Sequence, residues 1–331
     1  MPKDTEIEEM LEKMVIRPIR KKDFDQLFRL VNHSFRREIE ITGLDLQRLS
    51  RVAKLYRMVE MLLPVFEVFD RDFETILVAV SGNRLIGEIH VVPHGKEIWS
   101  LDSSAVDVMF RRRGIYKRLL KESLRYVSER NGERVVTSLW ADNVAPVIMT
   151  KRLGFEIFEK EVLLQFEVDG IPSVEFDDGV SLREVESADV DRIFEICEVL
   201  SSKKMKAYKT TPEDFLDSLF TRIMSRITWS SSKKWVLEMR GEIVGYVHVT
   251  YVPPQQAGRI ESFYVLPSDK SSRLTSVFLS KILEFLATRN IKKVTTSLNE
   301  EWKETIEIFK CFGFKPIASV YEMIKEPVCN Q

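Results

Sequence analysis

A basic loop around residue 112 carries the most distinctive arrangement of chemically active residues in the sequence. Residues 106–117 read Val-Asp-Val-Met-Phe-Arg-Arg-Arg-Gly-Ile-Tyr-Lys, which predicts a strand, a tight turn and the start of a helix. Backbone N–H groups at a helix N-terminus lack intrahelical partners and attract anions. Gly114 would let the backbone approach a phosphate, and Arg111, Arg112 and Arg113 add positive charge. The pattern predicts a phosphate or pyrophosphate site.

Other common motifs for phosphates and metals are absent from the sequence. It contains neither the P-loop pattern GxxxxGK[ST] nor the dinucleotide pattern GxGxxG. The sequence has only four histidines, and no metal is expected. A basic turn before a helix is also common on solvated surfaces, and the loop alone leaves that interpretation open.

Length and composition indicate a globular chain with two domains. The 331 residues exceed the roughly 250–300 at which a single core stops growing. A net charge of −1 argues against binding nucleic acid over much of the surface, and 44% hydrophobic residues argue against disorder. Three scattered cysteines, no apolar leader and no apolar run of about 18 residues predict a cytoplasmic protein without disulfides or a membrane span.

An internal repeat relates the two halves of the chain. His90 in RLIGEIHVVP and His248 in EIVGYVHVTYVP lie 158 positions apart. Gly154 in KRLGFE and Gly313 in KCFGFK lie 159 positions apart. A spacing that holds over several segments predicts two copies of one domain, at residues 14–170 and 179–327.

Hydrophobic spacing predicts the elements that must position the loop. Short apolar segments predict strands, including a hairpin of ILVAV and LIGEIHVV around a Ser-Gly-Asn turn and a further strand at about 98–108. Apolar residues at helical spacing predict helices at about 23–35, 45–63, 115–130 and 145–153. The predicted fold class is α/β, in an α+β layered form, with a mixed, mostly antiparallel sheet flanked by helices in each half.

The basic loop resembles motif A of the GNAT superfamily, the Gcn5-related N-acetyltransferases. That motif reads Val-x-Pro-x-Tyr/Phe-Arg/Gln-x-x-Gly-x-Gly/Ala, and Val106, Phe110, Arg111 and Gly114 match it. The resemblance implies two tandem GNAT domains and a loop that holds the pyrophosphate of acetyl-coenzyme A. The residues it implies for this cofactor are Val106, Asp107, Val108, Arg111, Arg112, Arg113, Gly114, Ile115, Tyr116, Lys117 and Asn143.

The chain departs from motif A at two positions. Val108 replaces the usual proline, and Tyr116 replaces the final glycine or alanine. For Tyr116 to be compatible with the cofactor, its side chain must point away while its backbone N–H faces the phosphate.

A second segment resembles motif B, Asn-x-x-Ala-x-x-x-Tyr-x-x-x-Gly-Phe. Asn143, Gly154 and Phe155 match it, whereas Pro146 replaces alanine and Thr150 replaces tyrosine. In the family, that tyrosine is often proposed to protonate the leaving thiolate. Water or Thr150 would have to take this role here.

The second half has lost the features of the cofactor loop. At an offset of 159, Gly114 corresponds to Arg273 and the tyrosine of motif B to Phe309, while Asp269 adds a negative charge to the loop. We expect the N-terminal half to bind acetyl-CoA and the C-terminal half to be a degenerate copy. The alternative is a phosphate site built from the hydroxyls of Ser268, Ser271 and Ser272.

Acetyl transfer to an amine requires a group that accepts the amine proton and a donor that polarises the thioester oxygen. The resemblance implies a backbone donor near Val106 and a carboxylate base four residues earlier, where Asp102 stands. Glu261 occupies the equivalent position in the second half. His90 titrates near neutral pH, and Glu88 lies two residues away on the same strand face. A histidine in an apolar strand is more often a hydrogen-bonded structural residue.

The resemblance implies an acetyl-CoA-dependent N-acyltransferase acting on a primary amine by direct transfer in a ternary complex. No cysteine lies near the loop in sequence, which argues against a covalent acetyl-enzyme. We expect a small or peptidyl amine as acceptor, with a helical insert at 45–70 beside it, and no nucleic-acid or membrane partner. Two alternatives stay open: a non-catalytic acyl-CoA-binding or scaffolding protein, and an RNA- or ribosome-associated acetyltransferase.

Overall fold

The computed structural model separates the chain into two compact units. The first contains the described residues up to 158 together with 321–326, and the second contains those from 159 to 320. The helix expected at 45–63 and the insert at 45–70 lie outside the described residues. The described residues are 4–37, 75–168, 170–172, 174, 179–208, 210–215, 230–268 and 271–326.

The first unit is built on a mixed, mostly antiparallel sheet. Its strands are β1 (Met14–Pro18), β2 (Thr75–Ser81), β3 (Arg84–His94), β4 (Ile98–Val106), β5 (Arg134–Trp140) and the end of β12 (Lys315–Lys325). They lie side by side in that order. The strands β1 to β4 pair antiparallel, and β4 pairs parallel with β5. The predicted hairpin corresponds to β2 and β3.

Helices cover both faces of this sheet. They are α1 (Asp4–Glu12), α2 (Phe24–Ser34), α3 (Ile115–Ser128) and α4 (Val144–Arg152). Phe24, Leu27 and Leu30 of α2 pack on one face, which we call the α2 face, and the helical spacing of these residues had predicted this packing. On the opposite face, Leu119 and Leu120 of α3 pack in a separate core.

The second unit repeats this architecture, as the internal repeat predicted. Its strands are β6 from residue 159 (whole strand Glu156–Glu167), β7 (Val180–Glu184), β8 (Ser231–Met239), β9 (Glu242–Val252), β10 (Ala257–Val265) and β11 (Lys293–Asn299). Its helices are α5 (Val190–Tyr208), α6 (Ser271–Thr288) and α7 (Lys303–Cys311). An ion pair after the first strand of each unit also recurs, Arg17–Asp23 and Arg183–Asp189, both at 2.7 Å.

The last strand of each sequence repeat belongs to the compact unit of the other repeat. Residues 321–325 of β12 are the neighbours of β5, and Met323 is fully buried in the core of the first unit. Residues 161–167 of β6 pair antiparallel with β11. Compact units and sequence repeats are therefore different divisions of the chain, and the repeat boundaries 14–170 and 179–327 stay a prediction.

Candidate active site

The basic loop is anchored by the residues just before its three arginines. The Asp107 carboxylate accepts a hydrogen bond from the backbone N–H of Met109 at 3.0 Å and pairs with Arg84 at 2.9 Å. Phe110 is fully buried. Arg112 and Gly114 both have positive φ, 62° and 78°, so the chain turns sharply before α3.

The start of α3 faces open space. Gly114 is its N-cap, and no side chain caps the helix there. A Cβ built on Gly114 would meet no atom within 4 Å among the described residues. The first intrahelical bond runs from the Arg118 N–H to the Gly114 carbonyl, so the preceding N–H groups are available to an anion. This geometry fits a phosphate group.

The arginines of the loop do not all point the same way. The Arg111 Nε donates to the Val106 carbonyl at 3.0 Å, which joins the loop to the end of β4. Arg112 is exposed and Arg113 is half-buried. All three positive charges belong to the turn that directly precedes the helix start.

A gap opens in the sheet beside this loop. The ladder between β4 and β5 ends where Leu101 lies opposite Thr137, although the strands continue to Val106 and Trp140. We call the separation beyond this pair the β4–β5 gap. Both strands are parallel and end at the same sheet edge, where ligands of α/β sheets commonly bind. The β4–β5 gap therefore lies at the same sheet edge as the start of α3.

Asp102 is the extra residue of a β-bulge in β4. The register with β3 shifts between His90 and Val91, because Ser103 and Leu101 are their partners. Bulges redirect side chains and are frequent beside active sites. The Ser100 hydroxyl donates to the Asp102 carboxylate.

Glu88 and His90 lie on the α2 face. Glu88 lies opposite Ala105, and His90 lies opposite Ser103. Glu88 is 1% exposed, with Ser103 Oγ 3.5 Å from its Oε2. Among the described residues its Oε1 has no hydrogen-bond partner. Burial raises the pKa of Glu88 to about 8, although the hydrogen bonds from Ser103 and the Ala105 backbone act in the opposite direction.

The structure therefore brings the three predicted acid–base residues onto two neighbouring strands. It adds two serines that sequence reasoning missed, Ser100 and Ser103, although both stand beside Asp102 in SLDSSAV. His94 is a further addition, since its Nε2 shares a hydrogen bond with Ser100 Oγ at 2.8 Å.

Comparison with known sequences identifies the family. The sequence profile of the "Acetyltransferase (GNAT) family" matches residues 46–155 and 198–314. The chain belongs to the GNAT acetyltransferase family. The GNAT resemblance seen in the basic loop is thereby confirmed, as is its tandem form. No curated protein sequence matches the chain.

Two solved structures share the fold over nearly the whole chain. A tandem GNAT protein from the clavulanic acid biosynthesis pathway has a TM-score of 0.67 and 15% identity, covering 96% of this chain and 99% of that chain. A GCN5-related N-acetyltransferase from Sphaerobacter thermophilus has a TM-score of 0.64 and 14% identity, covering 95% and 96%. At these identities the likeness establishes the α/β fold alone, and it confirms the predicted fold class.

The motif B segment of the first GNAT unit forms α4. Asn143 is exposed at its N-cap, and Thr150 is fully buried. The Tyr116 hydroxyl lies 2.9 Å from Thr150 Oγ1, so this side chain points from α3 towards α4. Burial raises the pKa of Tyr116, which keeps the phenol uncharged.

In the second GNAT unit, aromatic rings occupy the positions that correspond to the gap. Tyr264 and Trp302 stand at the positions of Ala105 and Asn143, with ring centroids 5.7 Å apart. Burial raises the pKa of Tyr264 to about 12. Of the loop itself, Asp269 and Lys270 lie outside the described residues.

The bulge carboxylate of the second unit is paired with a cation. Glu261 is the extra residue there, and it contacts Arg259 Nε at 2.8 Å and Thr250 Oγ1 at 2.7 Å. Uncharged Ser100 stands at the position of Arg259 in the first unit. Asp102 is thus the more suitable proton acceptor of the two carboxylates.

Replacing Glu88 by glutamine is expected to change the pH dependence of stability. The pKa of this carboxyl is about 8 in the folded chain and about 4.3 in an unfolded one. The folded state binds the proton more tightly, so its contribution to stability is present below pH 4 and is lost as pH rises to 8. Glu88→Gln removes this loss. We expect its Tm to exceed that of the wild type by roughly 5 °C or more at pH 9 and by much less at pH 5. A difference that stays constant with pH would contradict the assignment.

No helix within the described part of the chain is long and apolar enough to cross a membrane.

Proposed function

We propose that the first unit is an acetyl-CoA-dependent N-acyltransferase that transfers an acetyl group to a primary amine. One observation carries the proposal: an uncapped helix start in a basic loop follows β4, the strand that carries Asp102 and pairs with the strand of Glu88 and His90, at the edge where the β4–β5 ladder has ended. An anion site, a separation between two strands and proton-accepting groups are the parts that such a transfer needs.

The residues of the loop fit the cofactor. Backbone N–H groups of Ile115, Tyr116 and Lys117 would hold the pyrophosphate, together with those of the turn before them. Arg111, Arg112 and Arg113 would supply positive charge, and Val106, Asp107, Val108, Gly114 and Asn143 would line its path. When bound, acetyl-CoA supplies an acetyl group as a thioester, which an uncharged amine can attack.

We propose direct transfer in a ternary complex. The described cysteines, Cys197 and Cys311, both belong to the second unit, and Cys329 lies outside the described residues. Burial raises the pKa of Cys197 to about 12, so this thiol is a poor nucleophile. The acceptor would be a small or peptidyl amine, in the cytoplasm, with no nucleic-acid or membrane partner.

A turnover assay tests the proposal. The wild type is incubated with acetyl-CoA and a panel of primary amines, and the released coenzyme A thiol is measured. Asp102→Asn should lower kcat by about 100-fold or more, because the amine loses its proton acceptor. Glu261→Gln, the equivalent change in the second unit, should leave kcat unchanged. Binding of acetyl-CoA without turnover of any amine would favour a non-catalytic acyl-CoA-binding protein.

A further inference from the structure

Two carboxyl groups on the α2 face stand in opposite environments. Glu88 is buried with one oxygen unpartnered among the described residues, whereas Asp102 is exposed and accepts a hydrogen bond from Ser100. Carboxyl pairs whose environments differ in this way commonly divide acid and base roles. Amide formation from an ammonium ion involves three proton movements: two protons leave nitrogen and one arrives at sulfur.

We propose that Glu88 serves twice in each turnover, taking the ammonium proton before attack and giving it to the sulfur as the C–S bond breaks. Asp102 accepts the second proton of the nitrogen. This inference rests on the proposed function and assigns the steps within it.

The position of Glu88 allows both steps. It lies opposite Ala105, the residue before the end of β4, so β4 alone stands between it and the β4–β5 gap. Once the C–N bond has formed and before the C–S bond breaks, nitrogen and sulfur are attached to the same carbon. One carboxyl that reaches the nitrogen is then also within reach of the sulfur. Thr150, the donor considered from the sequence, is buried and hydrogen-bonded to Tyr116.

The burial of Glu88 favours transfer of a proton from the ammonium ion to its carboxylate. An ammonium ion beside a carboxylate is costly to desolvate, while an amine beside a carboxylic acid is uncharged. The partner of Glu88 on β2 is apolar Val78, which packs in one core with Leu27 and Leu30 of α2. No described arginine or lysine contributes to its pKa. The titratable groups that face it from its own strand and from β4 are His90 and Asp102.

The protons balance over one turnover. Glu88 begins as a carboxylate facing an ammonium ion, becomes the acid, and returns to the carboxylate when the thiol forms. The C–N bond forms first, and the C–S bond breaks afterwards. Asp102 takes the remaining proton and passes it to solvent, which its exposure allows. The products are an amide, the thiol of coenzyme A and one proton.

A crossed substrate experiment tests the double role. Glu88→Gln and the wild type are compared with ethylamine or 2,2,2-trifluoroethylamine, which is uncharged at neutral pH. Each amine is paired with acetyl-CoA or with S-phenyl thioacetate, whose thiolate leaves without a proton. With ethylamine and acetyl-CoA we expect kcat/KM to fall about 100-fold or more. Exchanging either the amine or the thioester should restore part of the lost kcat/KM, and exchanging both should restore nearly all of it.

Glu159→Gln is the matched control. Glu159 is also a buried carboxyl whose pKa burial raises, but it belongs to the second unit. This variant should keep wild-type rates with all four substrate pairs.

The pH profile supplies a second signature. The reacting complex holds a protonated Glu88 and an uncharged amine. In the wild type, kcat/KM for ethylamine should rise with pH and level off near the Glu88 pKa of about 8. Above that pH Glu88 loses its proton as fast as ethylamine becomes uncharged. In Glu88→Gln the rise should continue to the pKa of ethylamine itself.

Several results would overturn the double role. An equal loss of kcat/KM in Glu88→Gln with all four substrate pairs would mean that Glu88 has a structural role. Full recovery of kcat/KM when only one substrate is exchanged would mean that Glu88 acts in one proton transfer and not in two. A Tm difference between Glu88→Gln and wild type that does not vary with pH would show that Glu88 is not a buried acid. If Glu88→Gln keeps wild-type turnover, the double role of Glu88 is wrong but the proposed function is not. No turnover by the wild type ends the proposed function as well.

Discussion

Gly114→Asp is expected to weaken acetyl-CoA binding at least about 100-fold, a loss of ~2.7 kcal/mol. Position 114 points into open space before the helix start, so the new carboxylate would stand where the pyrophosphate binds. It would repel the phosphates and occupy the N–H groups of α3 itself. Calorimetric titration of acetyl-CoA measures the loss, and the wild type should bind one molecule per chain with micromolar affinity.

Gly95→Asp provides the matched control for this titration. Gly95 also has a positive φ, 80°, and a Cβ there would also meet no described atom within 4 Å. It lies between the end of β3 and the start of β4, whereas the basic loop follows the end of β4. Its aspartate should leave the affinity unchanged. Equal losses in both variants would indicate backbone strain rather than a blocked anion site. Two binding sites per wild-type chain would show that the second unit also binds acetyl-CoA.

A stop codon after Val320 is expected to unfold the first unit. It removes the end of β12, so β5 keeps only β4 as a neighbour, and the fully buried Met323 is lost from the core. The ion pair of Glu326 with Arg134 is lost as well. Removing one buried methionine side chain alone costs roughly 2–5 kcal/mol, a large part of the stability of a domain. Acetyl-CoA binding should disappear, and limited proteolysis should cut within residues 75–158.

A stop codon after Glu326 is the control, because it keeps the whole of β12. This shorter truncation should retain acetyl-CoA binding and resist the protease like the full chain. If the stop after Val320 behaves in the same way, β12 does not support the first unit.

Much of the fold could be predicted from local patterns. The spacing of Phe24, Leu27 and Leu30 predicted α2 and its buried face, and the offset of 158–159 predicted the second copy of the fold. The helix is predictable because its apolar spacing is contained in one stretch of sequence, and the second copy is predictable because its segments recur at a constant offset. The boundaries were less accurate: the strand expected at 98–108 ends at Val106, where Asp107 begins a turn.

The candidate site could be predicted only in part. Residue types identified Asp102, Glu88 and His90 as acid–base candidates but did not separate their environments. The bulge that redirects Asp102 depends on its register with β3, and the burial of Glu88 depends on α2. Neither partner is close in sequence, so no local pattern contains this information.

By itself, the sequence determined the family and the tandem repeat, because short motifs and their recurrence can be read along the chain, and it located the loop that we propose to bind an anion. Only the tertiary structure decided which sheet receives each last strand. Alternating apolar residues require one buried face, but they do not specify the neighbouring strand. The two repeats are similar and each ends in a strand, β6 or β12, so the repeat alone does not assign that strand to a unit. Contacts such as Met323 in the first core and the pairing of β6 with β11 made the choice.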